Sequence, residues 1–285
     1  MQIKSVQPWS ILRRKNLNKA TIYIILSLGA LITLAPFLWM VLGSIKTNTE
    51  IIQVPPTFFP KNPTIENFLN VVNTMPFGRY MLNSVFVSGV VSLAVLFTST
   101  LAGYIFAKFS FPGKQIIFTV VLATLLIPFQ LSVIPLFLIT WKLGIYNTYL
   151  ALIVPDMVSA YGIFLMRQFM HDVPNELLDA ARIDGASEYR IFFTIVLPLI
   201  KPAIATLGII TFAGSWNSFL WPVIAIINDN LKTVQLAMGT FAGWRNNQYG
   251  SLMAASTMAV IPVLVIFMLL QRWILQGISM TGLKG

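Results

Sequence analysis

A chain of 285 residues that is 56% hydrophobic and only 10% charged, with a mean hydropathy of +0.78, carries more apolar surface than a soluble domain can bury, so its solvent is largely lipid. The formal charge of +10 reads as a membrane-orientation signal, because no polar segment interleaves basic residues with stacking aromatics as a nucleic-acid surface would. The absence of cysteine excludes disulfides and thiolate metal sites, and one histidine without a carboxylate cluster argues against a catalytic metal.

Residues 1–19 form a basic N-terminal segment. The apolar run at 20–45 is too long for the core of a cleavable signal, which takes about 7–15 residues, and is expected to be an uncleaved first span. Five further runs follow at 80–108, 115–143, 149–170, 197–227 and 251–275. Each is near or above the roughly 20 residues that cross a bilayer as a helix. The expected fold class is an all-α membrane protein with six transmembrane helices over 20–275 and a tail at 276–285. Pro128 and Pro135 predict a kink in the third run, and Pro198, Pro202 and Pro222 predict a kink or an interfacial start in the fifth. No fixed-period repeat is present.

With six spans both termini share one side. That side holds thirteen of the nineteen Lys and Arg residues, which places the termini in the cytoplasm. The polar segment 171–196 is then cytoplasmic, and the segments 46–79 and 228–250 face outward.

The segment HDVPNELLDAARIDGASE, residues 171–188, holds five of the nine acids of the chain. Asp172 and Pro174 predict a helix start, a capping acid followed by a residue tolerated in the first turn. Glu176 and Asp179 place negative charge near the positive end of that helix. Leu177, Leu178 and Ala181 lie at helical spacing and form an apolar stripe, and the small Ala180 and Ala181 permit close approach. Gly185 permits a sharp turn, after which a second helix runs through Tyr189, Phe192 and Phe193. The pattern suits either an amphipathic helix on lipid headgroups or a docking helix for a soluble protein. Its acidic face disfavours an anionic leaflet.

Asp179-Ala180-Ala181, then Gly185, Ile195 and Leu197-Pro198, resembles the EAA loop of ABC-importer permeases at every spacing. The one departure is Asp179 in place of Glu, which keeps the charge and shortens the reach by one methylene. Asn83-Ser84, Ala102-Gly103-Tyr104 and the segments 143–155, 164–170, 216–222 and 276–285 are similar to carbohydrate permeases, in particular the smaller permease of maltose-type systems. The resemblance implies that Glu176, Asp179, Ala180, Ala181, Gly185, Leu197 and Pro198 seat the insert on a separate ATPase. It also implies two ATPase subunits, a second permease, an extracytoplasmic solute-binding protein, a sugar or oligosaccharide substrate and a bacterial or archaeal cytoplasmic membrane. The tail residues Gly282, Leu283, Lys284 and Gly285 would touch the ATPase dimer, or else form a frayed end. The chain itself has no G-x-x-x-x-G-K-[ST] loop, so no cofactor is expected in it, and ATP and Mg belong to the partner.

Trp244, Arg245, Asn246, Asn247 and Tyr249 offer rings, amides and a guanidinium that suit sugar stacking, docking of a binding protein, or an interfacial aromatic belt. Asn83, Asp156, Trp216 and Asn217 are candidates for a translocation path, because polar groups inside a membrane are expensive. Asp156 lines a cavity or subunit interface, or else lies near the outer headgroups; Trp216 and Asn217 line the path or join helices. The alternative function is a stand-alone secondary sugar transporter, for which one intramembrane acid is thin support. No nucleophile–base pair suggests an enzyme.

Overall fold

The computed structural model describes residues 9–244 and 248–281, with side chains for 19–240 and 248–273. Among the described residues every regular element is a helix. A hydrocarbon solvent offers no partner for backbone N–H and C=O groups, so each spanning segment must satisfy its own. The contacts divide the chain into two units.

The first unit comprises residues 1–71 and 247–257. It contains α1 (Trp9–Ser44), α2 (Asn48–Ile52) and the beginning of α3 (Glu66–Thr74). Pro36 lies inside α1 without ending it. The segment after α1, expected as an outward loop, is ordered by buried polar groups. Asn67 donates its amide to the carbonyls of Ser44 (2.9 Å) and Lys46 (2.7 Å). Glu50 accepts from Thr57 Oγ1 (2.7 Å) and from Lys61 N (2.9 Å), while the Lys46 ammonium donates to Thr57 O. The Thr57 hydroxyl, and after it the Lys61 amide and the Lys46 charge, hold the Glu50 carboxyl below its ordinary range.

The second unit comprises residues 72–246 and 258–285. Its axis is α4 (Phe77–Lys108), and its buried positions recur every three to four residues through Val87, Val91, Val95 and Ser99 to Gly103. Next come α5 (Lys114–Ala123), α6 (Phe129–Lys142), α7 (Tyr149–Ile153) and α8 (Ala160–His171). Helix α8 lies against α4 at backbone distance. A Cβ on Gly103 would come within 2.6 Å of Met166 Cβ, and one on Gly162 within 2.3 Å of Ser99 Oγ. In lipid, where burial of apolar surface drives little association, such small-residue seams let dispersion hold helices together.

The insert supplies α9 (Asn175–Ile183) and α10 (Glu188–Ile191), followed by a π-turn over Phe192–Val196 and α11 (Leu197–Leu199). The remaining helices are α12 (Lys201–Trp216), α13 (Leu220–Ala225), α14 (Val234–Trp244) and α15 (Tyr249–Thr281).

Among the described residues three stretches are long and apolar enough to span as single helices: Lys19–Ser44, Phe77–Lys108 and Tyr249–Trp273. Up to six spans result if each of three bent pairs counts as one. The run at 115–143 is bent by 103°. The bend is sited at Pro128, which holds Ile127 in an extended conformation, whereas Pro135 sits inside α6 without breaking it. The run at 149–170 breaks by 41° just after Asp156. The run expected at 197–227 is not one helix. It carries the expected kink, 79° at Ile200 between Pro198 and Pro202, but α12 then ends at Trp216, where Asn217 caps it, short of the end of the run. A second correction concerns Asp172, which closes α8 instead of capping α9 and gives its N–H to Met170 O; Pro174 occupies the cap position of α9. A third concerns 228–250, which carries a 3-10 turn at Asp229–Leu231 and the helix α14.

Candidate functional site: the polar insert and the helix-break cavity

Helix α9 presents one buried anchor, Leu178, to the core, and Ala181 packs partly behind it. Glu176, Asp179 and Ala180 are exposed, as are Leu177 and Ile183. The two alanines therefore divide, one inward and one outward. Gly185 adopts a φ of +79°. Its N–H donates to Arg182 O (3.0 Å) and the next N–H, of Ala186, reaches back to Ala181 O (2.9 Å). This is the Schellman closure, in which a left-handed residue after the helix satisfies the last carbonyls. Ser187 then caps α10 by accepting from Arg190 N (3.4 Å). Beyond it Leu197 N–H bonds Phe192 O, five residues back, and the exposed Pro198 has no N–H to continue an α-turn.

The bend around Gly185 is held by charge. Arg182 donates Nε to Glu188 Oε1 (2.7 Å) and Nη1 to Asp179 Oδ1 (2.7 Å). Glu188 first and Asp179 second raise the guanidinium above its ordinary value. Glu188 Oε2 accepts from the hydroxyl of Tyr104, which is buried in α4 (2.8 Å). At the other end of the insert Lys108, the last residue of α4, donates to Val173 O (2.5 Å) and Asn175 Oδ1 (2.8 Å). The insert is thus fastened to α4 at both ends, although α4 is distant from it in sequence. Tyr104, Lys108, Arg182 and Glu188 were not among the expected site residues. Only the local pair Asp179–Arg182, three apart on one helix, had a readable spacing.

A cavity of about 340 Å³ opens at the break between α7 and α8. Asp156 and Ser159 line it from the break, and Thr211, Gly214, Ser215 and Ser218 from α12 and the turn after it; Phe129, Tyr161 and Trp221 are among its aromatic walls. Thr98 of α4 steadies the break by donating to Met157 O (3.0 Å). The small residues 211, 214, 215 and 218 recur at helical spacing, a signal present in the sequence that a search for large polar side chains passes over.

The other expected path residues lie elsewhere. Asn83 is buried and donates to the carbonyls of Asn230 and Lys232 (2.9 Å each), and accepts from Tyr149 (2.8 Å). Both amide protons and the amide oxygen of Asn83 are thus engaged within the chain. Trp216 is buried and stacks on Phe212 at 5.8 Å. Asn217 is exposed and bonds Ala213 O (2.9 Å) and Gln235 (3.3 Å). Trp244 ends α14 and Tyr249 begins α15. Arg245, Asn246, Asn247 and the tail residues Gly282–Gly285 lie outside the described residues.

Residues 99–280 match the family of the Binding-protein-dependent transport system inner membrane component. The chain belongs to this family. The match takes in the α4 end, the insert and most of the lining of the helix-break cavity. Among its relatives, the arabinooligosaccharides transport system permease protein AraQ of Halalkalibacterium halodurans is 36% identical over 259 residues, covering 90% of this chain and 93% of that one. The lactose transport system permease protein LacG of Rhizobium radiobacter is 34% identical over 264 residues, covering 93% and 96%. The sn-glycerol-3-phosphate transport system permease protein UgpE of Pectobacterium atrosepticum is 33% identical over 264 residues, covering 90% and 94%. The fold is that of a chain in the crystal structure of a bacterial ABC transporter that imports the acidic polysaccharide alginate. That similarity has a TM-score of 0.79 at 20% identity and covers 95% of this chain and 99% of that one. This permease is accordingly an inner-membrane, multi-pass transport subunit.

Proposed function

We propose that this permease imports a sugar or oligosaccharide as the transmembrane subunit of an ATP-driven, binding-protein-dependent system, forming half of the path. The observation that carries the reading is the family membership together with relatives named for arabinooligosaccharides, lactose and diacetylchitobiose. Other relatives are named for sn-glycerol-3-phosphate, so membership leaves the charge of the solute open.

In this reading six spans place both termini and the insert in the cytoplasm. Two ATPase subunits hold ATP and Mg, a second permease completes the path, and an extracytoplasmic protein delivers the solute. A related solved structure is an alginate transporter in complex with an alginate-bound periplasmic protein. The exposed face of α9, with Glu176, Asp179 and Ala180, meets the ATPase. Ala181, Gly185, Leu197 and Pro198 set the angle at which it does so. Gly282–Gly285 reach the ATPase dimer, and Trp244–Asn247 with Tyr249 meet the binding protein. Closure of the ATPase dimer moves the insert as a lever, and the helices exchange access by rigid-body rocking.

The test is substrate-stimulated ATP hydrolysis in liposomes holding the four components, with wild type compared with Asp179→Lys plus Gly185→Pro. The lysine reverses the charge that Arg182 pairs with, and proline cannot adopt the positive φ of Gly185. Loss of stimulation and of ATPase co-purification is expected. Uptake that persists without the ATPase would favour the stand-alone carrier.

A further inference from the structure

Hydroxyls on helices in apolar surroundings ordinarily bond back to a carbonyl one turn earlier. Ser92, Thr98, Thr100, Thr206, Thr240, Ser256 and Thr257 do so here, at 2.6–3.0 Å. Thr211, Ser215 and Ser218 have no such bond among the described residues, and all three line the cavity at the α7–α8 break. The fourth aliphatic hydroxyl of the lining, Ser159, accepts from Gly162 N (3.0 Å) and keeps its own proton to donate. Among the described residues, Asp156 stands in the same wall with no hydrogen-bond or salt-bridge partner, and no Lys or Arg lines the cavity. Trp221 brings an aromatic ring whose Nε1 is already engaged by Ala151 O (2.8 Å).

Free hydroxyls, aromatic rings and one carboxylate form a lining that recognises a polyol. Each hydroxyl can give and take a hydrogen bond, and the carboxylate accepts two or more from sugar O–H groups. The same carboxylate raises the energy of any second negative charge brought beside it in a cavity whose other described lining residues are uncharged. We propose that the cavity is a saccharide subsite in which Asp156 acts as a charge filter, passing neutral sugars and rejecting uronates and phosphorylated solutes. The proposal rests on the reading of the chain as a sugar-importing permease and narrows its solute class.

The chain has no cysteine, so one thiol placed in the cavity reports its local charge. Ser215→Cys, in the assembled importer with cysteine-free partners, is reacted with a cationic trimethylammonium and an anionic sulfonate methanethiosulfonate. The cation should react faster. Asp156→Asn should lower the cation-to-anion rate ratio by about tenfold, since a unit charge within one Debye length shifts the two reagents oppositely. Asp156→Glu, which keeps the charge, should restore it. In the Ser215→Cys protein with Asp156 intact, arabinotriose, maltotriose or cellotriose should slow modification, and trigalacturonate should not. An unchanged ratio in Asp156→Asn overturns the filter, as does protection by trigalacturonate equal to that by a neutral sugar. Protection by none of the neutral sugars overturns the subsite. If Asp156→Asn fails to assemble, the ratio in the Ser215→Cys protein still decides, because a ratio no larger than that of a free thiol in water rejects the filter. ATP-dependent uptake is scored on the same vesicles: its absence counts against the importer reading alone, because the rate ratio depends only on the cavity.

Discussion

At the scale of single residues, the most informative contact is the hydroxyl of Tyr104 on Glu188, 84 positions apart. Glu188 has one strong partner in Arg182 and takes its second strong bond from Tyr104. Phenylalanine would leave the ring in place between Phe109 and Phe192 but remove that bond. A hydrogen bond to a charged group is worth about 1.5–3 kcal/mol, so the cost is small against the whole fold and large for the angle of the insert. Tyr104→Phe should therefore still co-purify with the ATPase. The sugar moved per ATP should fall severalfold, as measured by parallel uptake and phosphate release. Equal coupling in mutant and wild type would mean that the insert transmits motion without this bond. Sequence reading could mark Asp179 and Gly185, whose signals are local spacing and turn chemistry. It could not reach Tyr104 or Lys108, because a pairing across 84 or 65 positions exists only once α4 and the insert are packed. Asp172 misled for the opposite reason: only Asp172, Val173 and Pro174 separate α8 from α9, and an acid there suits the end of one helix as readily as the start of the next.

At the scale of helices, the apolar runs were legible where they are straight, and prolines marked the bends at Pro128 and Ile200; what hydropathy passed over is where a helix ends within a run. Helix α4 matches its expected run because nothing interrupts its periodicity. The run at 197–227 carries the kink that Pro198 and Pro202 predict, at Ile200, but its far end was missed, because hydropathy is blind to the cap that Asn217 places on α12. The seam between α4 and α8 offers a test of packing. Gly103→Ala would press a methyl to 2.6 Å from Met166 Cβ and 2.9 Å from Arg167 N, an atom of the backbone that cannot rotate away. Overpacking of that kind costs about 1–3 kcal/mol. Gly89→Ala, on the same helix with nothing within 4 Å of the new methyl, should be neutral or stabilising by about 0.5–1 kcal/mol through helix propensity. Thermal unfolding of the two variants in one detergent should separate them. Similar midpoints would show that α8 withdraws from α4 at little cost.

At the scale of the whole molecule, the distribution of charge argues which face meets the cytoplasm. If the six apolar runs each cross once, thirteen of nineteen basic residues lie with the insert and six lie opposite. Each crossing of a basic side chain through the bilayer is opposed by several kcal/mol, about 2.5–3.5 at mid-membrane on insertion scales, so insertion keeps the richer side in the cytoplasm. Two exposed positions lie in the segments expected on opposite faces: Ile183 at the end of α9 and Val54 after α2. Because no native thiol competes, Ile183→Cys and Val54→Cys can each be treated with a membrane-impermeant maleimide. Ile183→Cys should label only in inverted membrane vesicles and Val54→Cys only in intact spheroplasts. The reverse pattern would put the insert outside, away from ATP, and sever the link between this fold and an ATP-driven partner. Labelling of both from one side would mean that the bent pairs contribute an odd number of crossings between them, as when a pair such as the one folded by 103° at Pro128 enters and leaves by the same face.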